Sequence, residues 1–248
     1  MSQRVALVTG GIGGLGTEIC KYLARSGRRV IAADLGSRTD RVAEFHKEVG
    51  EFGAQIVFEP INVGDFDTCS GAFKDVESRH GAIDILVNAA GITRDTTLRK
   101  MSAQQWHDVL DINLSGIFNT CRNVVEGMSE RGFGRIVNIS SVNGQTGQFG
   151  QTNYSAAKAG MHGFTMALAR EVARKGVTVN SVSPGYCRTA MVAAIPENVR
   201  SQIIAGIPVG RLGEPSEIAR VVDFLCADES GFITGANIPV NGGYFMDF

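Results

Sequence analysis

Apolar residues along the chain fall into two kinds of stretch. Short dense runs, often rich in Val and Ile, alternate with longer segments in which apolar positions recur every three or four residues. The runs RVALVTG (4–10), RRVIAAD (28–34), AQIVFEP (54–60), AIDILVNAA (82–90), GRIVNISS (134–141), VTVNSVSPG (177–185) and ANIPVNGG (236–243) predict strands. Several are apolar nearly throughout, as expected when both faces of a parallel sheet are covered. Helical periodicity appears near 14–26, 39–52, 65–80, 102–130, 152–175 and 214–227. Strand–helix alternation predicts βαβ units and an α/β fold. Right-handed crossovers then put helices on both faces of the sheet.

One segment breaks the rhythm. Strand six is expected to end near Ser183, yet the next clear helix starts only after LGEPSE. The intervening insert, about 186–213, carries Pro196, Gly206, Pro208, Gly210 and Gly213. A connection of this length suits a lid or binding loop, and equally a surface pair of short helices. No linker, repeat or low-complexity tract appears, so residues 1–248 are expected to form a single domain.

Composition narrows the function classes. A net charge of −1, with 44% hydrophobic and 20% charged residues, describes an ordinary globular protein and no general polyanion binder. No apolar run is long enough to span a bilayer. Residues 1–9 read as too short for a signal peptide. The five cysteines form no CxxC pair and their number is odd, which fits a reducing cytoplasm. The four histidines are scattered without metal-ligand spacing, so no metal site is expected.

Candidate chemistry begins at the first βα turn. VTGGIGGLGTEIC holds Gly10, Gly11, Ile12, Gly13, Gly14, Leu15 and Gly16 between a strand and a helix. Glycine tolerates positive φ, and its missing Cβ lets the backbone approach a pyrophosphate. The following helix N-terminus offers N–H groups and partial positive charge. The expected architecture is therefore a Rossmann-type three-layer sandwich. Asp34 ends strand two, where a carboxylate accepts bonds from the adenosine ribose hydroxyls and repels a 2′-phosphate. NAD(H) is favoured on that ground. NADP(H) stays open, because Arg38 and Arg41 can swing toward a 2′-phosphate. Asn62 and Val63 end strand three, with Asn62 placed to bond the adenine amino group. Asn88, Ala89, Ala90 and Gly91 end strand four and line the same crevice, with the Asn88 side chain suited to tying strands together.

Tyr154 and Lys158 lie one turn apart on the helix after strand five, so their side chains share a face. A free phenol has a pKa of about 10 and is a poor acid or base near neutrality. A neighbouring ammonium is expected to lower it by about two to three units, at about 1.36 kcal/mol per unit. The tyrosine would then give its proton to a carbonyl oxygen as hydride arrives, with Lys158 also placed to bond the nicotinamide ribose. Ser141, at the end of strand five, is placed to hold the substrate carbonyl. Asn113, inside the long fourth helix, is placed to bond a backbone carbonyl and a water, relaying protons to Lys158.

Together TGGIGGLG (9–16), NAAG (88–91), Asn113, Ser141, Tyr154-SAA-Lys158 and SPGYCRT (183–189) resemble the short-chain dehydrogenase/reductase family over nearly the whole chain. The resemblance implies an NAD(P)-dependent oxidoreductase with an Asn–Ser–Tyr–Lys set, a seven-stranded parallel sheet and a homotetramer. It also implies cofactor contacts from Pro184, Gly185 and Thr189, the last to the nicotinamide carboxamide. The stretch from Gly134 to Ala169 is similar to a bacterial branch that reduces acetoacetyl-CoA to (R)-3-hydroxybutyryl-CoA for polyhydroxybutyrate synthesis. Members of that branch commonly use NADPH, and Asp34 departs from that habit. An acyl-CoA partner then suggests Gln148, Phe149, Gln151 and Tyr186 as the grip on the short acyl thioester. Arg94, Arg99 and Lys100 are placed near the CoA phosphates. Two alternatives stand beside this reading: a 3-oxoacyl-(acyl-carrier-protein) reductase, and, more remotely, a dinucleotide sensor without catalysis.

Overall fold

The computed structural model describes residues 3–246; Met1, Ser2, Asp247 and Phe248, the ends of the expected 1–248 domain, lie outside the described residues. Seven strands form one sheet in the order β3-β2-β1-β4-β5-β6-β7. They are β1 Val5–Thr9, β2 Arg29–Asp34, β3 Ile56–Pro60, β4 Ile85–Asn88, β5 Gly134–Ile139, β6 Val177–Pro184 and β7 Asn237–Val240. Every neighbouring pair is parallel. All the C-terminal strand ends therefore open onto one edge, and the order reverses between β1 and β4, where such sheets bind ligands.

The helices are α1 Gly14–Arg25, α2 Thr39–Glu48, α3 Phe66–His80, α4 Ala103–Leu110, α5 Gly116–Glu130, α6 Asn143–Thr146, α7 Thr152–Val172, α8 Ala190–Ala193, α9 Glu197–Ala205 and α10 Pro215–Leu225. Alternate strand residues feed two apolar layers. Ala6, Val8, Val30, Val87 and Val137 pack with α1, α2 and α10. Leu7, Ile31, Leu86, Ile136 and Val179 pack with α3, α5 and α7. Both faces of β1 are buried, which is why its sequence shows no alternation.

Three features depart from the sequence reading. The helix expected over 102–130 is two α-helices joined by a π-helical turn, Asp111–Ser115. The insert at 186–213 contains α8 and α9, which close over a small third cluster of Val192, Ile207 and Leu212. A short helix, α6, follows Ser141 where no element was expected. Four-residue helices carry too little periodicity to be read from sequence.

Candidate active site

The glycine-rich turn is shaped by close backbone contact. Gly10 has φ +64°, and a Cβ there would sit 2.7 Å from the Ala89 carbonyl oxygen. A Cβ on Gly16 would lie 2.1 Å from the Gly10 carbonyl oxygen, which forces glycine at that position. Gly11 packs in the same way against Ala32, and Gly13 donates its N–H to the Gly10 carbonyl at 2.9 Å. Helix α1 then begins without a side-chain cap and with no acidic residue in its first turn. Ile12 is fully buried beneath the turn and Leu15 packs on the core, while Gly14 stays exposed. This is a cradle that any Cβ would fill, with uncapped N–H groups and partial positive charge directed outward, and it fits a dinucleotide pyrophosphate.

Arg41 braces that turn in a way the sequence did not disclose. Its Nε donates to the Ile12 carbonyl at 2.6 Å, and its guanidinium also meets Thr17, Glu44 and Glu48. Arg38 pairs with Asp34 at 3.1 Å. Neither arginine is turned loose toward a 2′-phosphate. Asp34 also accepts the Leu35 N–H at 2.8 Å.

Along the rest of the crevice, Asn62 is exposed and accepts the Gly64 N–H at 3.0 Å, a local turn that leaves its amide nitrogen free. Val63 is buried, with its carbonyl held by Asn119 at 2.7 Å. The Thr9 hydroxyl accepts the N–H groups of both Ala89 and Ala90 at 3.2 Å, fixing the segment that leads to Gly91. The Asn88 side chain is turned into the protein interior. It is 3% exposed, donates to Asn138 at 2.9 Å and accepts from Thr120 at 2.7 Å, while Asn138 donates to Thr165 at 2.9 Å. Its place in the expected cofactor set is corrected to a tie between β4, β5 and the helices above them. Pro184 accepts the Val142 N–H at 2.9 Å, and Gly185 is clamped against Asn241. The Thr189 methyl would touch a Cβ on Gly14 at 3.3 Å, so the start of the insert meets the glycine-rich turn.

Asn113, Ser141, Tyr154 and Lys158 meet at the C-terminal ends of β4 and β5. Gly91 shows how closely: a Cβ there would lie 2.5 Å from Asn113 Oδ1 and 3.7 Å from Lys158 Nζ. Asn113 is fully buried in the π turn, a form frequent at functional sites. It donates to the carbonyls of Ile92 (2.9 Å) and Val109 (2.8 Å) and accepts the Ile92 N–H (3.2 Å). Lys158 is 4% exposed and donates to the Ile139 carbonyl at 2.7 Å. Burial pushes its pKa down to about 8.

Here the structure corrects the expected tuning. Burial is the largest influence on the Tyr154 phenol and raises its pKa, Asp95 raises it further, and only the Ser141 hydroxyl opposes them. The Lys158 ammonium stands 5.6 Å from the ring centroid and is tied to the main chain. It does not ionise the phenol in advance, because the loss of hydration outweighs a charge at that distance.

The expected substrate grip is only partly assembled. Phe149 is 87% exposed at the tip of a loop flanked by Gly147 and Gly150, both at positive φ, and Gln148 is exposed beside it. Tyr186 pairs edge-on with Tyr244, centroids 5.6 Å apart, rather than with Phe149. Gln151 is engaged at both ends, accepting from Asn143 (2.9 Å) and donating to Asp95 (2.8 Å), so it braces the loop. Arg94 is exposed and lies 3.6 Å from Asp108, its guanidinium also donating to the Thr93 carbonyl. Arg99 and Lys100 are exposed. The sequence reading overlooked Thr9, Asp95, Asn143 and Tyr244, and it gave Arg41 a phosphate role in place of the bracing one it holds. Thr9, Asp95 and Tyr244 act through partners distant in sequence, and only Tyr244, an aromatic just after NGG, left a visible signal.

A parallel sheet with a Cβ-free phosphate cradle at its switch point, and Ser, Tyr and Lys gathered beside it, defines an NAD(P)-dependent oxidoreductase. Residues 10–245 match the family model described as enoyl-(acyl carrier protein) reductase. The chain is 55% identical over 243 residues to the acetoacetyl-CoA reductase of Allochromatium vinosum, covering 98% of this chain and 99% of that protein. It is 54% identical over 246 residues to the acetoacetyl-CoA reductase of Cupriavidus necator, covering 99% and 100%. A 3-oxoacyl-(acyl-carrier-protein) reductase of Vibrio harveyi is 43% identical over 248 residues, with 99% of each chain covered. The chain belongs to the short-chain dehydrogenase/reductase family.

Proposed function

We propose that the protein reduces acetoacetyl-CoA to (R)-3-hydroxybutyryl-CoA with NADH, in polyhydroxybutyrate synthesis. The observation that carries this reading is the junction of Ser141, Tyr154 and Lys158 beside the glycine cradle, in a chain 54–55% identical along its length to acetoacetyl-CoA reductases. When bound, the dinucleotide would rest on Gly10–Gly16, Asp34 and Thr189 and supply hydride to the 3-oxo carbon. Ser141 holds the carbonyl oxygen. Tyr154, kept protonated by burial, is ready to donate to that oxygen. As the proton leaves, the Lys158 ammonium stabilises the phenolate. Asn113 holds the Ile92 carbonyl in register and so shapes the crevice next to Lys158.

NADH is favoured because Asp34 occupies the ribose end of β2 while Arg38 is paired to it and Arg41 is spent on the glycine-rich turn. Asp34→Ala should move the kcat/KM ratio toward NADPH. A native preference for NADPH would overturn the assignment. The deciding assay follows cofactor oxidation with acetoacetyl-CoA and with the matching carrier-protein thioester. Equal or faster turnover of the carrier-protein substrate would move the function to fatty acid synthesis, the second reading that the Vibrio harveyi relative supports.

The same proposal takes the chain as one catalytic domain with 186–213 as its substrate lid, working in the cytoplasm as a homotetramer. All five cysteines are free and buried, which suits a reducing compartment. Among the described residues no helix is long and apolar enough to cross a membrane. Phe66 and Phe118 stack with centroids 5.9 Å apart on α3 and α5 while 42% and 50% exposed, a patch that suits coverage by another subunit. Light scattering on the purified protein tests the assembly.

A further inference from the structure

Asp95 lies in the exposed segment after β4 and starts a chain of polar contacts that ends at the candidate carbonyl-binding hydroxyl. Its Oδ2 accepts from Gln151 Nε2 at 2.8 Å. Gln151 Oε1 accepts from Asn143 Nδ2 at 2.9 Å. Asn143 is 9% exposed, and its main-chain N–H donates to Ser141 Oγ at 3.1 Å. Main-chain and side-chain contacts staple the same two segments together: Thr96 N–H donates to the Gly150 carbonyl at 2.8 Å, and Asn153 donates to the Arg94 carbonyl at 3.3 Å. The adjacent cation, Arg94, is turned to Asp108, and among the described residues no cation pairs with Asp95.

We propose that Asp95 is a positioning residue for carbonyl reduction: through Gln151 and Asn143 it sets Ser141, and its negative charge acts on the Ser141–Tyr154 end of the crevice. The inference rests on the carbonyl-reducing reading of the site. The groups facing Tyr154 are few. Lys158 comes from its own helix, Ser141 from the end of β5 and Asp95 from the segment after β4. Burial raises the pKa of Tyr186, from the insert, with Tyr244 and then the same carboxylate adding to it. In the reducing direction a protonated phenol is the competent form, and a carboxylate at the rim extends its range upward in pH. As the crevice fills and water leaves, that influence grows. Gln151, expected to grip the substrate, is instead the middle strut.

Two variants separate the roles. Asp95→Asn keeps an oxygen to accept from Gln151 and removes the charge, while Asp95→Ala removes both. Both are assayed with whichever 3-oxo thioester the enzyme turns over best, so rejection of acetoacetyl-CoA would count against the proposed substrate and leave this test intact. With Asp95→Asn, turnover at neutral pH should stay within about threefold, and the alkaline limb of kcat should move down by about half a pH unit or more. With Asp95→Ala, kcat should fall about tenfold to a hundredfold with an unchanged KM for NADH. Ultraviolet difference titration against Tyr154→Phe reads the phenol without turnover and should show the same downward movement in Asp95→Asn. An unmoved phenol titration in Asp95→Asn, or an Asp95→Ala enzyme with native kcat, overturns the proposal. Equal losses in both variants with no movement of the pH profile would mark Asp95 as a structural residue only and would also overturn it.

Discussion

The cofactor half and the substrate half of the crevice are built on different physical terms. Around Gly10, Gly11 and Gly16 the backbone is packed so closely that no side chain fits, and Arg41 locks the turn from beneath. Around Phe149 and the insert, exposed side chains sit on short helices, two positive-φ glycines and a cluster with three buried apolar residues among those described. The first half is a rigid socket specified by excluded volume. The second is held by polar struts and a thin apolar patch, so it can adapt to an acyl thioester. Such low-density elements are where local opening concentrates.

The largest effect should come from the point where the halves meet. Tyr154→Phe is expected to lower kcat by about a thousandfold while NADH affinity stays native, by fluorescence titration. A loss under tenfold would remove the phenol from the reaction. Next, Gly16→Ala forces a Cβ against the Gly10 carbonyl, and overpacking of this kind costs about 1–3 kcal/mol. NADH affinity and melting temperature should both fall. If neither changes, the cofactor half is not the rigid one.

Lys158 gives a pH test of comparable size. Its pKa falls from 10.5 in the unfolded chain to about 8 in the folded one. The unfolded state therefore binds more protons between those values, and stability rises with pH across that window. The full change is of order 3 kcal/mol. The five buried thiols, whose pKa values burial raises, pull the other way above pH 9, so the test is the difference between the native protein and Lys158→Met in denaturant unfolding, which should grow by that amount from pH 8 to pH 10.5. A difference that stays constant over that window would mean that burial does not depress the amine.

Beneath the substrate half, Asn138→Ala removes the acceptor of the Asn88 amide and the donor to Thr165 and should destabilise by about 1–3 kcal/mol, since both lost bonds belong to buried polar groups. Smallest of all, Phe149→Ala should change stability by no more than about 0.5 kcal/mol, as expected for an exposed side chain. A rise in thioester KM without a change in NADH KM would show the loop closing on substrate. A stability loss above that limit would mean the loop is already packed.

What the sequence disclosed divides along the same line. Gly10 and Gly16 could be placed because excluded volume admits one residue type. Tyr154 and Lys158 could be placed because helical spacing is local. β1, β4, β5 and β6 were the most legible strands because burial on both faces leaves apolar runs. Arg41 reaching the Ile12 carbonyl, Tyr186 meeting Tyr244, and Asp95 bracing Gln151 depend on elements far apart in the chain. No periodicity records such pairings. The sign of the tyrosine shift was misjudged for a related reason: spacing reveals that an ammonium is near but not how much water the fold removes from the phenol.

The π turn at Asp111–Ser115 ties two properties into one inheritance. The widened coil turns the Asn113 amide toward Ile92, and the same amide reaches back to the Val109 carbonyl inside the coil. Deleting one residue to regularise the helix would swing the amide out of the crevice, and replacing the amide would leave the wide coil without its internal clasp. Neither change is neutral without the other, so drift at this position must pass through a defective intermediate, and the distorted coil persists together with its asparagine.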